Sequence, residues 1–166
     1  RERLGAEGKL AVSIDDQDRA MQRMAAAQGL RPTQDKEQTA LLEITPEATR
    51  YTLPDGYRLL SLADAFDMER YNQLMWRGFN HDGPAPADAA QLAWRRACVT
   101  SPHANQTLYL VVVAPDGAFV AHCGAWVLPG ETYAVIEPVA TDPDYRRKGL
   151  GRAAVLEAAR RCGALG

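Results

Sequence analysis

Residues Ile136–Arg161 read IEPVATDPDYRRKGLGRAAVLEAARR: an apolar run, a charged turn holding two glycines, then an alanine-rich helical stretch. The order has a physical use. The first amides of a helix have no intrahelical partner, and the helix dipole leaves partial positive charge beside them, so an anion such as phosphate is favoured there. Gly149 and Gly151 let backbone approach a ligand or take conformations closed to other residues. Arg146, Arg147, Lys148 and Arg152 fall within seven residues that hold no acid. Charge-assisted hydrogen bonds from such side chains contribute about 1.5 to 3 kcal/mol each when well formed. Two readings stand at this point: a pyrophosphate cradle, or an ordinary basic, solvated turn between strand and helix.

Two other phosphate motifs fit less well. Gly149-Leu150-Gly151-Arg152-Ala153-Ala154 has the G-x-G-x-x-A spacing of a dinucleotide fingerprint. That motif needs its first glycine at the strand end and an acid about 20 residues later. Here Asp142 to Lys148 intervene and no such acid follows. A Walker A loop requires Gly-Lys-Ser/Thr, which is absent.

Working back from this segment, Tyr133–Thr141 is expected as a strand and Gly151–Cys162 as a helix ending at Gly163. Leu108–Ala114 and Ala118–Leu128, joined by Pro115-Asp116-Gly117, predict an antiparallel hairpin. Before it come a helix near Asp88–Cys98, a helix over Asp64–Gly78 with Met68, Tyr71, Met75 and Phe79 on one face, and a strand at Tyr57–Leu62. Thr45–Gly56, with two prolines and Asp55-Gly56, reads as a linker or wide loop. In the first fifty residues, Lys9–Ile14 and Gln38–Ile44 read as strands. Between them lies a helix capped by Asp15 or Asp16 and closed by Gly29. Gly5-Ala6-Glu7-Gly8 after basic residues echoes Gly163-Ala164-Leu165-Gly166, an offset of 163 − 5 = 158 that suits a domain repeat.

A chain of 166 residues with 46% apolar and 24% charged residues suits a globular domain rather than a disordered one. A net charge of −2 gives no reason to expect nucleic acid or an anionic membrane as partner. No apolar run approaches the roughly 20 residues of a membrane span, and Arg1-Glu2-Arg3 does not open a secretion signal, so a cytoplasmic protein is expected. Cys98, Cys123 and Cys162 lack metal-ligand spacing; they read as buried or half-buried thiols, with no metal site.

Arg146-Arg147-Lys148-Gly149-Leu150-Gly151 resembles the R/Q-x-x-G-x-G/A signature of the GNAT acetyltransferase superfamily, and Val139–Tyr145 resembles the strand and turn before it. With the element order from Tyr57 to Gly163, the likeness covers about two thirds of the chain. It implies an α+β acyl-CoA N-acyltransferase fold, a mostly antiparallel mixed sheet flanked by helices. It also implies acetyl-CoA as co-substrate and a small-molecule or peptide amine as acceptor. Backbone of Val139, Ala140 and Thr141 would hold the pantetheine arm and thioester. Amides from Arg147 through Lys148, Gly149, Leu150 and Gly151 to Arg152 would wrap the pyrophosphate, with Arg146 adding charge and the Leu150 side chain packed under the turn. Glu137, just before this segment, is the candidate base that deprotonates the amine; the alternative is an exposed strand glutamate. Trp76, His81, Trp126 and Tyr133 are candidates to line an acceptor pocket, each equally at home as core or surface. His122 reads as a strand residue.

Where a GNAT domain continues with further strands and a helix, this chain ends at Gly166, and pieces resembling them stand in the first fifty residues. The expected organisation is therefore split. Residues 1–50 form the C-terminal half of one GNAT domain, 51–56 a linker, and 57–166 the N-terminal two thirds of the next. A single permuted domain is the alternative, and a second GNAT domain or a homodimer is the expected partner. Gly29-Leu30 takes the place of the family's Gly-Phe pair, and Ala25 stands where many members carry the tyrosine that protonates the leaving thiolate. A catalytically degenerate module that binds acyl-CoA as sensor, or a structural half-domain, therefore remains open.

Overall fold

The structure is a computed structural model that describes residues 11–36, 38–128 and 130–165. The chain divides into two compact units, residues 1–41 and 42–166.

Among the described residues of the smaller unit the one regular element is helix α1 (Arg19–Ala27). Its N-cap is Asp18, whose carboxylate accepts from Met21 N at 2.9 Å. The expected caps do other work: Asp15 accepts from Gln17 N, and Asp16 pairs with Lys36 at 2.8 Å. The C-terminus closes as the sequence predicts, with Gly29 N bonded to Ala26 O and Leu30 N to Ala25 O, a Schellman motif. The two expected strands are not there. Residues 11–14 and 38–44 have no ladder partner among the described residues, and Lys9 and Leu10 lie outside them. Val12 and Leu41 are exposed. A β-branched run becomes a strand only when a neighbour takes up its amides and its apolar face, which these segments lack here.

Among its described residues the larger unit holds four antiparallel strands in the order β1 (Arg58–Ser61), β2 (Leu110–Val113), β3 (Phe119–Val127) and β4 (Ala134–Thr141). Helices α2 (Met68–Gly78), α3 (Ala89–Val99) and α4 (Leu150–Gly163) flank the sheet. Both faces are covered, which is why β2 reads as an unbroken apolar run. Leu110 and Val112 pack with Leu150, Ala154, Ala158 and Cys162 of α4. Val111 and Val113, pointing the other way, pack with Tyr71, Leu74, Met75 and Val99 of α2 and α3. This is the α+β arrangement the sequence predicts.

Local chemistry moves some boundaries. Helix α2 starts at Met68 rather than Asp64, because the Asp64 carboxylate turns back onto Ser61 Oγ at 2.6 Å and Asp67 caps the helix. Phe79 falls past the last turn and is half exposed, so it leaves the apolar face assigned to it. Cys98 is exposed, while Cys123 and Cys162 are buried. Residues 49–53, within the stretch read as a linker or loop, pack on the sheet and α4: Thr49 is buried, Leu53 joins the α4-side core, and Tyr51 Oη donates to Glu157.

Strand β4 carries a bulge. Cys123 faces Val139 but Ala125 faces Ile136, so Gly124 alone stands opposite both Glu137 and Pro138. Pro138 has no N–H to give to the ladder. The bulged carbonyl then lies so close that a Cβ on Gly124 would sit 2.6 Å from Glu137 O.

Candidate functional site

Downstream of β4, Asp142 caps a short 3-10 turn, Pro143–Tyr145, by accepting from Asp144 N at 3.0 Å. Arg147 then takes φ 65° and Gly149 φ 79°, both left-handed, before the chain enters α4. Two left-handed residues two apart turn successive amides toward one side, which is how backbone builds an anion nest. Among the described residues, no protein acceptor takes the amides of Arg147, Lys148, Gly149, Leu150, Gly151 or Arg152. Gly149 caps α4 without a side chain, so nothing competes for these donors. Gly151 lies against the strand end, where a Cβ would stand 2.7 Å from Thr141 Oγ1.

An open cleft of about 260 Å³ lies beside this turn, with Tyr51, Thr52, Leu53 and Pro54 on one wall and Lys148, Gly149, Arg152 and Ala153 on the other. The cations do not all behave alike. Arg147 and Arg152 are exposed and make no ion pair among the described residues. Lys148 Nζ rests 4.8 Å from the centre of the Tyr145 ring. Arg146 is committed to protein: Nε donates to Thr141 O at 3.1 Å, and Nη2 donates to Gly78 O at 3.1 Å and Asn80 Oδ1 at 2.7 Å. Leu150 is buried under the turn, as its apolar side chain requires.

The turn also contains two acids that would oppose an anion. Arg77 of α2 holds both, Asp142 at 3.3 Å and Asp144 at 2.7 Å. Sequence reasoning did not single out Arg77, since nothing in a helical pattern says which face meets a turn 65 residues away.

Val139, Ala140 and Thr141 end β4, the outer strand of the sheet, whose far edge is unpaired among the described residues. Val139 is half exposed and Ala140 buried against the α2 side. Glu137 is exposed at the bulge, and its carbonyl accepts from Trp126 Nε1 at 3.1 Å. Trp126 leans edge-on against Tyr109, 5.8 Å between ring centres. The Tyr109 hydroxyl is buried with no hydrogen-bond partner among the described residues, and burial pushes it up to about 12. Trp76 and His81 stack at 4.2 Å, away from the core, while Tyr133 is exposed.

His122 is fully buried. Its Nδ1 donates to Leu110 O at 2.8 Å and its Nε2 accepts from Tyr71 Oη at 3.2 Å. Burial pulls it down to about 4, so it is neutral at pH 7 and serves as a packed strand residue. Cys123 is pushed up to about 12 by burial, too high to act as a thiolate. No cluster of three metal-ligating residues occurs among the described residues, and no described helix is long and apolar enough to cross a membrane.

A model of the acetyltransferase (GNAT) family matches residues 68–166, more than half of the sequence, and the chain belongs to that family. No curated protein matches the sequence. Among solved structures, a GCN5-related N-acetyltransferase from Sphaerobacter thermophilus is similar at 18% identity and a TM-score of 0.55, over 89% of this chain and 44% of that one. N-myristoyltransferase from Saccharomyces cerevisiae, with bound myristoyl-CoA, is similar at 16% identity and a TM-score of 0.52, over 69% of this chain and 28% of that one. These likenesses are of fold, and the chain spans less than half the length of either relative.

Proposed function

We infer that residues 57–166 carry the donor side of an N-acetyltransferase that moves an acetyl group from acetyl-CoA to a primary amine of a small molecule or peptide. The observation that carries this reading is the run of unclaimed amides from Arg147 to Arg152 beside an open cleft. These amides would hold the diphosphate, helped by Lys148 and Arg152. The free edge of β4 at Val139, Ala140 and Thr141 offers backbone donors and acceptors to the amides of a pantetheine arm, which leads the thioester toward the bulge at Glu137.

An alkyl amine is mostly protonated at pH 7 and cannot attack. Glu137, exposed beside the bulge, takes that proton directly or through water. The amine nitrogen then bonds to the thioester carbonyl carbon and gives up a second proton to water, the carbon–sulfur bond breaks, and the departing thiolate takes a proton from water. The same proposal gives the chain a cytoplasmic location and a tandem layout. In that layout residues 1–50 are the back half of one GNAT domain, joined by 51–56 to the front of the next.

Free thiol released from acetyl-CoA, measured against a panel of primary amines, tests the function. Amine-dependent release supports it. Calorimetric binding of CoA with no amine-dependent release would instead assign a module that binds acyl-CoA without turnover.

A further inference from the structure

Two arginines cross between the end of α2 and the turn before α4, in opposite directions. Arg77 reaches from α2 to Asp142 and Asp144 of the turn. Arg146 reaches back from the turn to Gly78 O and Asn80 Oδ1, while its Nε holds Thr141 O at the end of β4. Between them the backbones are in tight contact, for a Cβ on Gly78 would lie 2.7 Å from Ala140 Cβ and 3.3 Å from Thr141 N. The segment that follows α2 is itself held in one shape. Asn80 is left-handed at φ 65°, His81 N donates to Trp76 O at 3.2 Å, and Trp76 Nε1 donates to Asp82 O at 3.1 Å. With the Trp76–His81 stack, residues 79–82 form a small folded loop. The guanidinium of Arg146 is its tie to the turn that carries the nest.

Arg146 is also the residue directly before left-handed Arg147, so the same residue anchors the loop through its side chain and opens the nest through its backbone. A diphosphate seated on the amides of 147–152 would fix that backbone, and with it the direction of the Arg146 side chain. We propose that Arg146 is a positioning residue rather than a phosphate ligand: through Asn80 and Gly78 it transmits occupancy of the nest to the loop 79–82, beside the end of β4. This rests on the reading of 147–152 as a CoA diphosphate site. Energetically the tie is a planar fork meeting three oxygens, a geometry that lysine cannot reproduce.

Amide hydrogen exchange on the intact chain, with CoA as the probe, tests the coupling. In the native chain, saturating CoA slows exchange at the amides of Phe79 to Asp82 by tenfold or more. Asn80→Gly keeps the left-handed backbone accessible and removes the acceptor, so CoA then protects the loop less than twofold while its Kd changes less than threefold. Asn80→Asp, which tolerates the same φ and keeps an acceptor oxygen, restores the protection. CoA binding without loop protection in the native chain, or full protection persisting in Asn80→Gly, overturns the coupling alone. Failure of the native chain to bind CoA overturns the functional reading beneath it.

Discussion

Glu157 joins α4 to the segment before β1, and its replacement by glutamine has a calculable cost. The side chain is 6% exposed and accepts from Arg160 Nε and Nη2 at 2.7 Å each, Arg161 Nε at 2.9 Å and Tyr51 Oη at 3.2 Å. The hydrogen bond from Arg160, then that from Arg161, holds its carboxyl down to about 2, from an ordinary value of 4.5, against the opposing effect of burial. At about 1.4 kcal/mol per pKa unit the full shift is worth about 3 kcal/mol. Arg160 is half exposed, so solvent screening reduces this to about 2 kcal/mol, or a Tm about 6 °C lower for a unit of this size. Because the folded-state value is depressed, the stabilisation is present in full above the unfolded value and is lost as pH falls from about 5 toward 2. Urea unfolding followed by circular dichroism should therefore show Glu157→Gln less stable than the native chain at pH 7, with the gap closing in acid. Equal stability at pH 7, or a gap that does not change with pH, would refute the reasoning.

His122 gives the complementary pH effect. Its folded value near 4 lies below that of the unfolded chain, so acid favours unfolding; stability should fall by about 2 kcal/mol from pH 7 to pH 5, and His122→Gln should flatten that slope in the same urea titrations. Gly78→Ala forces a Cβ against Ala140 and the backbone of Thr141, and a net loss of about 1 kcal/mol is expected in urea despite alanine's better helix propensity. Glu137→Gln should lower amine-dependent thiol release by about a hundredfold near pH 7, with the CoA Kd unchanged by calorimetry.

Much of the larger unit was readable because its signals are local. The Pro115-Asp116-Gly117 turn between two apolar runs fixes the β2–β3 hairpin, and the alternating destinations of Leu110 to Val113 follow from period 2. The glycines after Arg146 mark the turn into α4, and both Arg147 and Gly149 are left-handed there. What was not readable depends on distant partners. The runs at 11–14 and 38–44 look like strands, yet no ladder forms among the described residues, and pairing rather than propensity decides a strand. Arg146 looks like one more cation for a phosphate until Gly78 and Asn80, 68 and 66 residues away in sequence, are seen to claim it. The bulge had a signal that went unused: Pro138 inside a predicted strand.

Calorimetric titration of CoA into the native chain, Gly149→Asn and Gly149→Asp addresses the nest most directly. Gly149 has φ 79° and a Cβ there meets nothing within 4 Å, so asparagine and aspartate share the same backbone cost and the same space and differ by one charge. A carboxylate about 5 Å from a doubly charged diphosphate in water costs about 2 kcal/mol. Gly149→Asp should therefore bind CoA about thirtyfold more weakly than Gly149→Asn, with the difference shrinking in high salt. Equal affinity of the two variants would place the diphosphate elsewhere and contradict the site proposed at the head of α4.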